Sequence, residues 1–179
     1  MNNEATSRQA AGGMLTGMFR DRESTEKAYN SLRTRGYSDD EINVIMSDQT
    51  RDRDYVDGAD TELGSKALEG TGAGAAIGGT LGAIIGGIAA IGTNVLLPGL
   101  GLVVAGPIVA ALVGAGAGGA AGGLVGALIG WGIPEERAKL YETGIKDGGT
   151  VLGVKPRTTE DADYFESEWK NYRGEHIYR

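Results

Sequence analysis

The sequence predicts an α+β protein in which a small domain is interrupted by a long, uncharged helical hairpin. Strand-like and helix-like stretches alternate near both ends of the chain. Between Glu69 and Glu135 there is no Asp, Glu, Lys or Arg, and most of the 32 glycines among the 179 residues lie in this block. The predicted order is β-α-β, hairpin, α-β. We expect the flanking pieces to close into one sheet with helices on one face, a ferredoxin-like half-sandwich.

The first part of the α+β domain is predicted at residues 13–48, after a flexible N-terminus at 1–12. The apolar run at 15–19 indicates a short strand. Apolar side chains recur on one helical face within 24–35, and Gly36 follows as the residue that ends this helix. This order is typical of the first half of a β-α-β unit.

A second strand is predicted directly after a helix-start signal. Ser38 and Glu41 have the spacing of a capping box, which predicts at most one helical turn. The apolar residues 42–46 then predict a strand. Residues 49–65 are charged and polar, and we interpret them as a linker.

Residues 66–133, which contain most of the uncharged block, predict two helices joined by a loop. Their expected bounds are roughly 66–92 and 105–132, with Pro107 suited to the first turn of the second helix. The residues predicted to form the hairpin turn are Pro98, Gly99 and Gly101.

Glycine recurs at every fourth position in both predicted helices. Because residues i and i+4 share one face of a helix, each helix carries a ridge without side chains, as in the small-xxx-small contacts of membrane helices. Each interior glycine costs about 1 kcal/mol relative to alanine, so only close packing would offset the cost. The residues predicted to make this helix-packing contact are Gly70, Gly74, Gly78, Gly82, Gly86, Gly114, Gly118, Gly122, Gly126 and Gly130.

The second part of the α+β domain is predicted at residues 134–157. A helix is expected from Pro134 to about Asp147, and a third strand at 150–155. Residues 158–179 form an acidic-aromatic C-terminal tail, whose aromatic side chains we expect to dock onto the sheet.

Composition excludes several classes of chemistry. The chain has no cysteine, and its one histidine is His176 near the C-terminus, which removes thiolate nucleophiles and most histidine-based metal or acid–base sites. The net charge of −7 disfavours nucleic acid as a partner. We predict no catalytic, cofactor-binding or metal-binding residues, and therefore no enzyme.

The uncharged hairpin fits either a membrane or a protein assembly. Each predicted helix has roughly 26 residues, against the ~20 that span a bilayer core. In a membrane, Trp131 would be an interfacial anchor; it is equally explained as a core residue where the hairpin joins the domain. The competing interpretation buries the hairpins between copies of the chain in a ring or filament, because so large an apolar surface does not stay exposed.

The expected partners are the chain itself and membrane lipid, and the expected location follows from the N-terminal sequence. The first residues have neither the basic nor the apolar region of a signal peptide, which predicts the cytoplasm or the cytoplasmic face of the inner membrane. A ligand-binding module that uses the α+β sheet is a further alternative, although no pocket residues can be named for it.

Several stretches of the chain carry a family resemblance: residues 17–23, 28–29, 32–33 and 36–42, and later 126–130, 132–136, 141–142, 148–149 and 151–155, with Ala138 and Gly144. In these stretches the chain resembles bacterial general stress proteins and low-temperature-induced proteins. The resemblance covers most of residues 14–157. The resemblance implies expression under stress and association with the cell envelope, and it brings no catalytic residues. The function expected is therefore that of a non-enzymatic stress-response protein.

Overall fold

The computed structural model of the chain describes residues 13–56, 95–97, 101–109, 123–126 and 128–179. These residues form an α+β fold, as the sequence predicts. The strands are β1 (Leu15–Phe19), β2 (Ile42–Ser47), β3 (Val95–Leu97), β4 (Leu102–Ala105), β5 (Thr150–Val154) and β6 (Glu175–Tyr178). The helices are α1 (Arg22–Thr34), α2 (Asp48–Arg51), α3 (Glu135–Lys146) and α4 (Thr159–Asn171), with a 3-10 turn at Asp39–Glu41 and a π-helical turn at Asp52–Val56.

Within the described residues, the strands form one six-stranded sheet in the order β3-β4-β2-β5-β1-β6. Every pair of neighbours is antiparallel. The central strand β5 lies between β1 and β2, with Met18 opposite Val151 on one side and Val44 opposite Leu152 on the other. The N-terminal and C-terminal parts of the chain therefore share one sheet.

The strands and helices predicted outside the uncharged block are confirmed to within a few residues. Helix α1 begins at Arg22 because the Asp21 side chain caps it, accepting a hydrogen bond from the Ser24 backbone N–H at 2.9 Å. It ends where Gly36 takes a φ of +81°, a left-handed conformation that glycine adopts without a steric cost. The capping box of Ser38 and Glu41 is present at the 3-10 turn.

Helices cover both faces of the sheet, so the prediction of helices on one face is wrong. Alternate residues of a strand point to opposite faces, and both sets are buried here. The first face packs against α1 and α4; the residues that represent this core are Leu15, Phe19, Tyr29, Leu32, Leu152, Phe165 and Trp169. The second face packs against α3 and part of the glycine-rich block; its core includes Met18, Ile45, Val104, Ile108, Leu128, Tyr141 and Ile145.

Residues that we predicted as the loop and the start of the second hairpin helix are strands instead. Strands β3 and β4 pair with each other, Leu97 opposite Leu102, and β4 pairs along β2. The physical reason is that β2 offers a free edge with which β4 pairs, and the β-branched side chains of Val103 and Val104 pack well in a sheet. Both side chains are at most 1% exposed. Of the predicted turn residues, Gly101 lies between these strands with a φ of +60°. Pro98 and Gly99 lie outside the described residues.

The second predicted helix, 105–132, is not one unbroken helix. Ala105 ends β4, and Gly106 takes a φ of +93°; helical residues begin only at Ile108. Gly123 has a φ of +57°, which an α-helix interior does not contain. Residues 123–126 and 128–130 are helical. The first predicted helix, 66–92, lies outside the described residues.

Two segments predicted to lie outside the domain are part of it. The expected linker begins with α2 and the π-helical turn, where Tyr55 is 2% exposed in the first core; residues 57–65 lie outside the described residues. The expected tail, 158–179, forms α4 and the edge strand β6. Trp169 packs edge-on against Phe19, with ring centroids 5.6 Å apart. Docking of the tail aromatics on the sheet is therefore confirmed.

Candidate functional site

Two of the ten predicted packing glycines are described, and both face open space. A Cβ atom added at Gly126 or at Gly130 would meet no atom within 4 Å. The side chain between them on this surface, Ile129, is 43% exposed. Within the described part of the chain, nothing covers the glycine side of residues 123–130. The other eight predicted packing glycines lie outside the described residues.

The opposite side of the same helical residues is docked on the sheet. Leu124 is 3% exposed and Leu128 is fully buried, and both belong to the core of the second face. The stretch is therefore two-sided by residue size, because its leucines contact the sheet domain while Gly126 and Gly130 point away from it.

Asn43 holds the chain where it leaves β4. This side chain is 3% exposed. Its Nδ2 donates to the backbone oxygen of Gly153 at 3.1 Å, and its Oδ1 accepts from the backbone N–H of Ile108 at 2.8 Å. Gly106 passes so close to β2 that an added Cβ would lie 2.2 Å from the backbone oxygen of Ile42. The glycine-rich segment after Val109 therefore starts from a rigid point.

Arg22 fixes the chain where the π-helical turn ends and residues 57–94 begin. Its guanidinium donates through Nη1 to the backbone oxygen of Asp54 and through Nε to Glu26 Oε1 at 2.7 Å. It also lies over the Tyr55 ring, 5.4 Å from the ring centroid. The π-helical turn is thus tied to α1, and the segment that follows Val56 also leaves from the folded domain.

Trp131, the candidate interfacial anchor, lies at the turn between the helical residues 128–130 and α3. It is partly buried and packs against the core of the second face. Gly132, which follows it, has a φ of +86° and lets the chain turn into α3. Part of the Trp131 side chain lines a groove at the end of the sheet where β2 begins and β5 ends.

This groove has a volume of about 580 Å³. Four apolar side chains line it: Met14, Pro107, Trp131 and Pro156. Four charged residues also line it: Asp40, Glu41, Lys155 and Arg157. The remaining lining residue is Asn43, whose amide already makes the two hydrogen bonds described above. The sequence analysis missed the groove because its residues come from five separate stretches of the chain.

Two of the charged groove residues neutralise each other. Arg157 Nη2 lies 2.7 Å from Glu41 Oε2, and the guanidinium stacks over the Tyr37 ring at 4.3 Å from its centroid. Burial alone would raise the pKa of Glu41, but hydrogen bonds from the Ser38 backbone N–H and from Arg157 outweigh it and hold that pKa below its usual value. The carboxylate of Glu41 is therefore satisfied within the protein.

Tyr37 joins this pair to α4. Its hydroxyl donates to Asp161 Oδ2 at 2.8 Å and accepts from the backbone N–H of Arg157 at 2.7 Å. Burial, followed by the hydrogen bond with Asp161, raises the pKa of Tyr37 to about 12, although Arg157 acts in the opposite direction. The phenol is thus a neutral donor at physiological pH, and it clamps the start of α4 to the loop after α1.

The described residues contain neither a metal-binding cluster nor a membrane-length helix. No group of three or more His, Asp or Glu residues among them is placed to hold a metal ion. Within the same residues, no helix combines the length and the apolar character that a bilayer crossing requires. His176 lies in β6, where its backbone oxygen accepts a hydrogen bond from the Tyr141 hydroxyl at 2.7 Å.

Comparison with known proteins gives no family for this chain: no family model matches it, and neither a curated protein nor a solved structure does. The resemblance to bacterial general stress and low-temperature-induced proteins stays a prediction from the stretches of sequence named above.

Proposed function

We propose that this protein is a non-enzymatic stress-response protein whose sheet domain holds glycine-rich helical segments for homo-oligomerisation. One observation carries the proposal: residues 123–130 dock their leucines on the sheet and leave Gly126 and Gly130 facing open space. The stress role comes from the resemblance to bacterial general stress proteins.

A second helix of the same kind is the partner that such a surface fits. Glycine at i and i+4 lets two helix backbones approach closely, so that dispersion contacts replace the missing side chains. Ile129 and, on α3, Leu140 are the large apolar side chains left exposed in the described part of the chain, at 43% and 44%. Ile129 directly precedes Gly130 in the chain, and an exposed apolar side chain beside the glycine ridge supports packing against another copy of this chain.

The length of the second glycine-rich segment favours self-association over a bilayer crossing. Val109, 6% exposed, and Leu124, 3% exposed, belong to one core cluster. The 14 residues 110–123 separate these two docked positions, and a helix of that length rises ~21 Å, against ~30 Å for the hydrocarbon core. This segment is too short to cross a membrane as a helix while both ends stay packed on the sheet.

Membrane insertion remains the second candidate function, and the chain length restricts it to residues 57–94. This segment follows Val56 and ends at β3, and both belong to the sheet domain. It must therefore return to the side it leaves. About 38 residues make two helical arms of at most ~19 residues, or ~28 Å each, which is enough to enter a bilayer but barely enough to cross it.

We also propose that the domain is a ferredoxin-like half-sandwich with additions. Two units, β1-α1-β2 and β5-α4-β6, interleave in the order β6-β1-β5-β2, and α1 and α4 share one face. In this interpretation β3, β4 and α3 are additions that carry the glycine-rich segments, which is why those segments begin and end on the sheet.

The test of oligomerisation is light scattering of the full chain with a matched pair of variants. We expect an oligomer that Gly126→Leu weakens, because a leucine on the ridge keeps the backbones apart. Lys170→Leu adds the same side chain at an exposed position on α4 and should leave the oligomer intact. A monomeric wild-type chain, or two variants that behave alike with the domain still folded, would contradict the proposal.

Membrane insertion of residues 57–94 is tested separately, by flotation with liposomes on a density gradient. If residues 57–94 enter the bilayer, the chain floats and resists a carbonate wash. Gly78→Leu should then alter association between copies in the membrane, with Ala76→Leu as its control. A chain that stays in the dense fractions as an oligomer would remove the membrane candidate and leave self-association.

A further inference from the structure

The groove beside Trp131 has two charges that the protein does not neutralise. Glu41 and Arg157 form their own ion pair. The side chains of Asp40 and Lys155, the other two charged lining residues, make no ion pair or hydrogen bond within the described part of the chain and have opposite signs. After the internal pair is removed, the groove therefore presents one anion and one cation.

The rest of the groove surface is apolar and includes an aromatic ring. Met14, Pro107 and Pro156 line it together with Trp131. The face of a tryptophan ring attracts cations, and quaternary ammonium groups in particular, because these lose little hydration when they bind. Asn43 contributes no competing group, since its amide already bonds to Gly153 and Ile108.

We propose that this groove binds a small zwitterion that carries a quaternary ammonium and a carboxylate. The carboxylate is bound by the ammonium of Lys155, and the cationic end is bound by Trp131 and Asp40. A simple anion or a simple cation would use one of the two free charges and face the other with the wrong sign. The volume of about 580 Å³ lies within the ~300–1,000 Å³ of small-molecule sites.

Neither of the two described ridge glycines lines this groove, so the site adds a ligand-binding activity to the proposed assembly function. The two activities have different readouts, since ligand binding is followed by fluorescence and assembly by light scattering. Failure of one leaves the other standing.

The test uses N,N,N-trimethylglycine as the probe and the fluorescence of the full chain as the signal. The chain has two tryptophans, and Trp169 is fully buried, so a change on binding reports Trp131. We expect saturation below about 10 mM. Trp131→Phe keeps an aromatic ring and should remove the signal.

Matched probes and variants locate each end of the ligand. 3,3-Dimethylbutanoate has the same shape and carboxylate but no positive charge, and should bind about fivefold more weakly. Lys155→Gln should weaken binding of trimethylglycine about tenfold, whereas Lys139→Gln, an exposed lysine on α3 outside the groove, should not. Absence of saturable binding, equal binding of 3,3-dimethylbutanoate, or equal binding by Lys155→Gln and Lys139→Gln would overturn the proposal.

Discussion

Asn43 is a single buried side chain on which the path of the chain after β4 depends. It lies on β2, faces the second side of the sheet, and joins β5 to the backbone of Ile108, because its amide NH2 donates to Gly153 and its amide oxygen accepts from Ile108. A hydrophobic residue of similar size would leave the Ile108 N–H and the Gly153 oxygen without these partners. Buried groups of this kind cost about 1–3 kcal/mol each when unpaired.

We therefore predict that Asn43→Leu lowers the free energy of unfolding by about 3 kcal/mol. Urea denaturation followed by circular dichroism measures this change. Asn171→Ala, at the exposed end of α4, is the control and should change stability by no more than about 0.5 kcal/mol. A loss for Asn43→Leu as small as that of the control would show that water replaces both hydrogen bonds.

Gly106 and Gly36 illustrate two different reasons why a position in this fold requires glycine. Both have a positive φ, +93° and +81°. Around Gly36 an added Cβ meets nothing within 4 Å, whereas at Gly106 it would collide with the backbone of Ile42. Gly36→Ala should cost only the left-handed strain, about 1–2 kcal/mol.

We predict that Gly106→Ala costs at least about 4 kcal/mol, because β4 must move away from β2 to admit the methyl group. Thermal unfolding of the two alanine variants side by side gives the comparison. Equal melting temperatures would mean that the contact between Gly106 and β2 is not rigid.

A set of side-chain contacts connects three secondary-structure elements: α4, the loop after α1 and the 3-10 turn before β2. Glu41, Arg157, Tyr37 and Asp161 form a continuous set of contacts across the first face of the sheet. Because the pKa of Glu41 is lowered in the folded protein, its contribution to stability is present above the unfolded pKa of ~4.3 and is lost as the pH falls through the folded value.

We predict that the wild-type chain loses more stability than Glu41→Gln when the pH falls from about 5 to about 3. Arg157→Gln should also reduce this loss, since the guanidinium is one of the causes of the lowered pKa. Urea midpoints at several pH values supply the measurement. Parallel pH profiles for the wild type and Glu41→Gln would refute the role of this carboxylate.

The C-terminal 22 residues matter at the scale of the whole molecule. Helix α4 places Phe165 and Trp169, both fully buried, in the first core, and β6 adds an edge strand beside β1. Gly17 on β1 leaves room for this packing, since an added Cβ would lie 2.9 Å from the Trp169 ring. The segment completes the first layer of the fold.

We predict that a chain ending at Arg157 does not fold, while Trp169→Ala folds but loses about 3–5 kcal/mol. Amide proton dispersion in NMR spectra distinguishes folded from unfolded chains. Arg179→Ala removes only exposed ion pairs and should change stability by about 0.5 kcal/mol or less. A folded chain without residues 158–179 would restore the interpretation of this segment as a tail.

The sequence by itself determined the class α+β and the positions of β1, β2, β5, α1 and α3. These elements are recognised by signals a few residues apart: the period of the apolar residues, the capping box of Ser38 and Glu41, and the glycines after the helices. The same local reasoning led to wrong predictions inside the uncharged block, because apolar residues without polar neighbours have no period that distinguishes a strand from a helix.

Only the tertiary structure decided that residues 95–97 and 102–105 are strands, that residues 159–178 complete the sheet, and that both faces are covered. Each of these outcomes depends on partners far away in the chain, such as Ala105 opposite Val44 and Trp169 against Gly17. The groove has the same origin, since Asp40, Trp131 and Lys155 meet only after the sheet has formed. Local sequence limits the secondary structure that a segment can form. Contacts with strands far away in the chain decide whether the segment forms a helix or a strand.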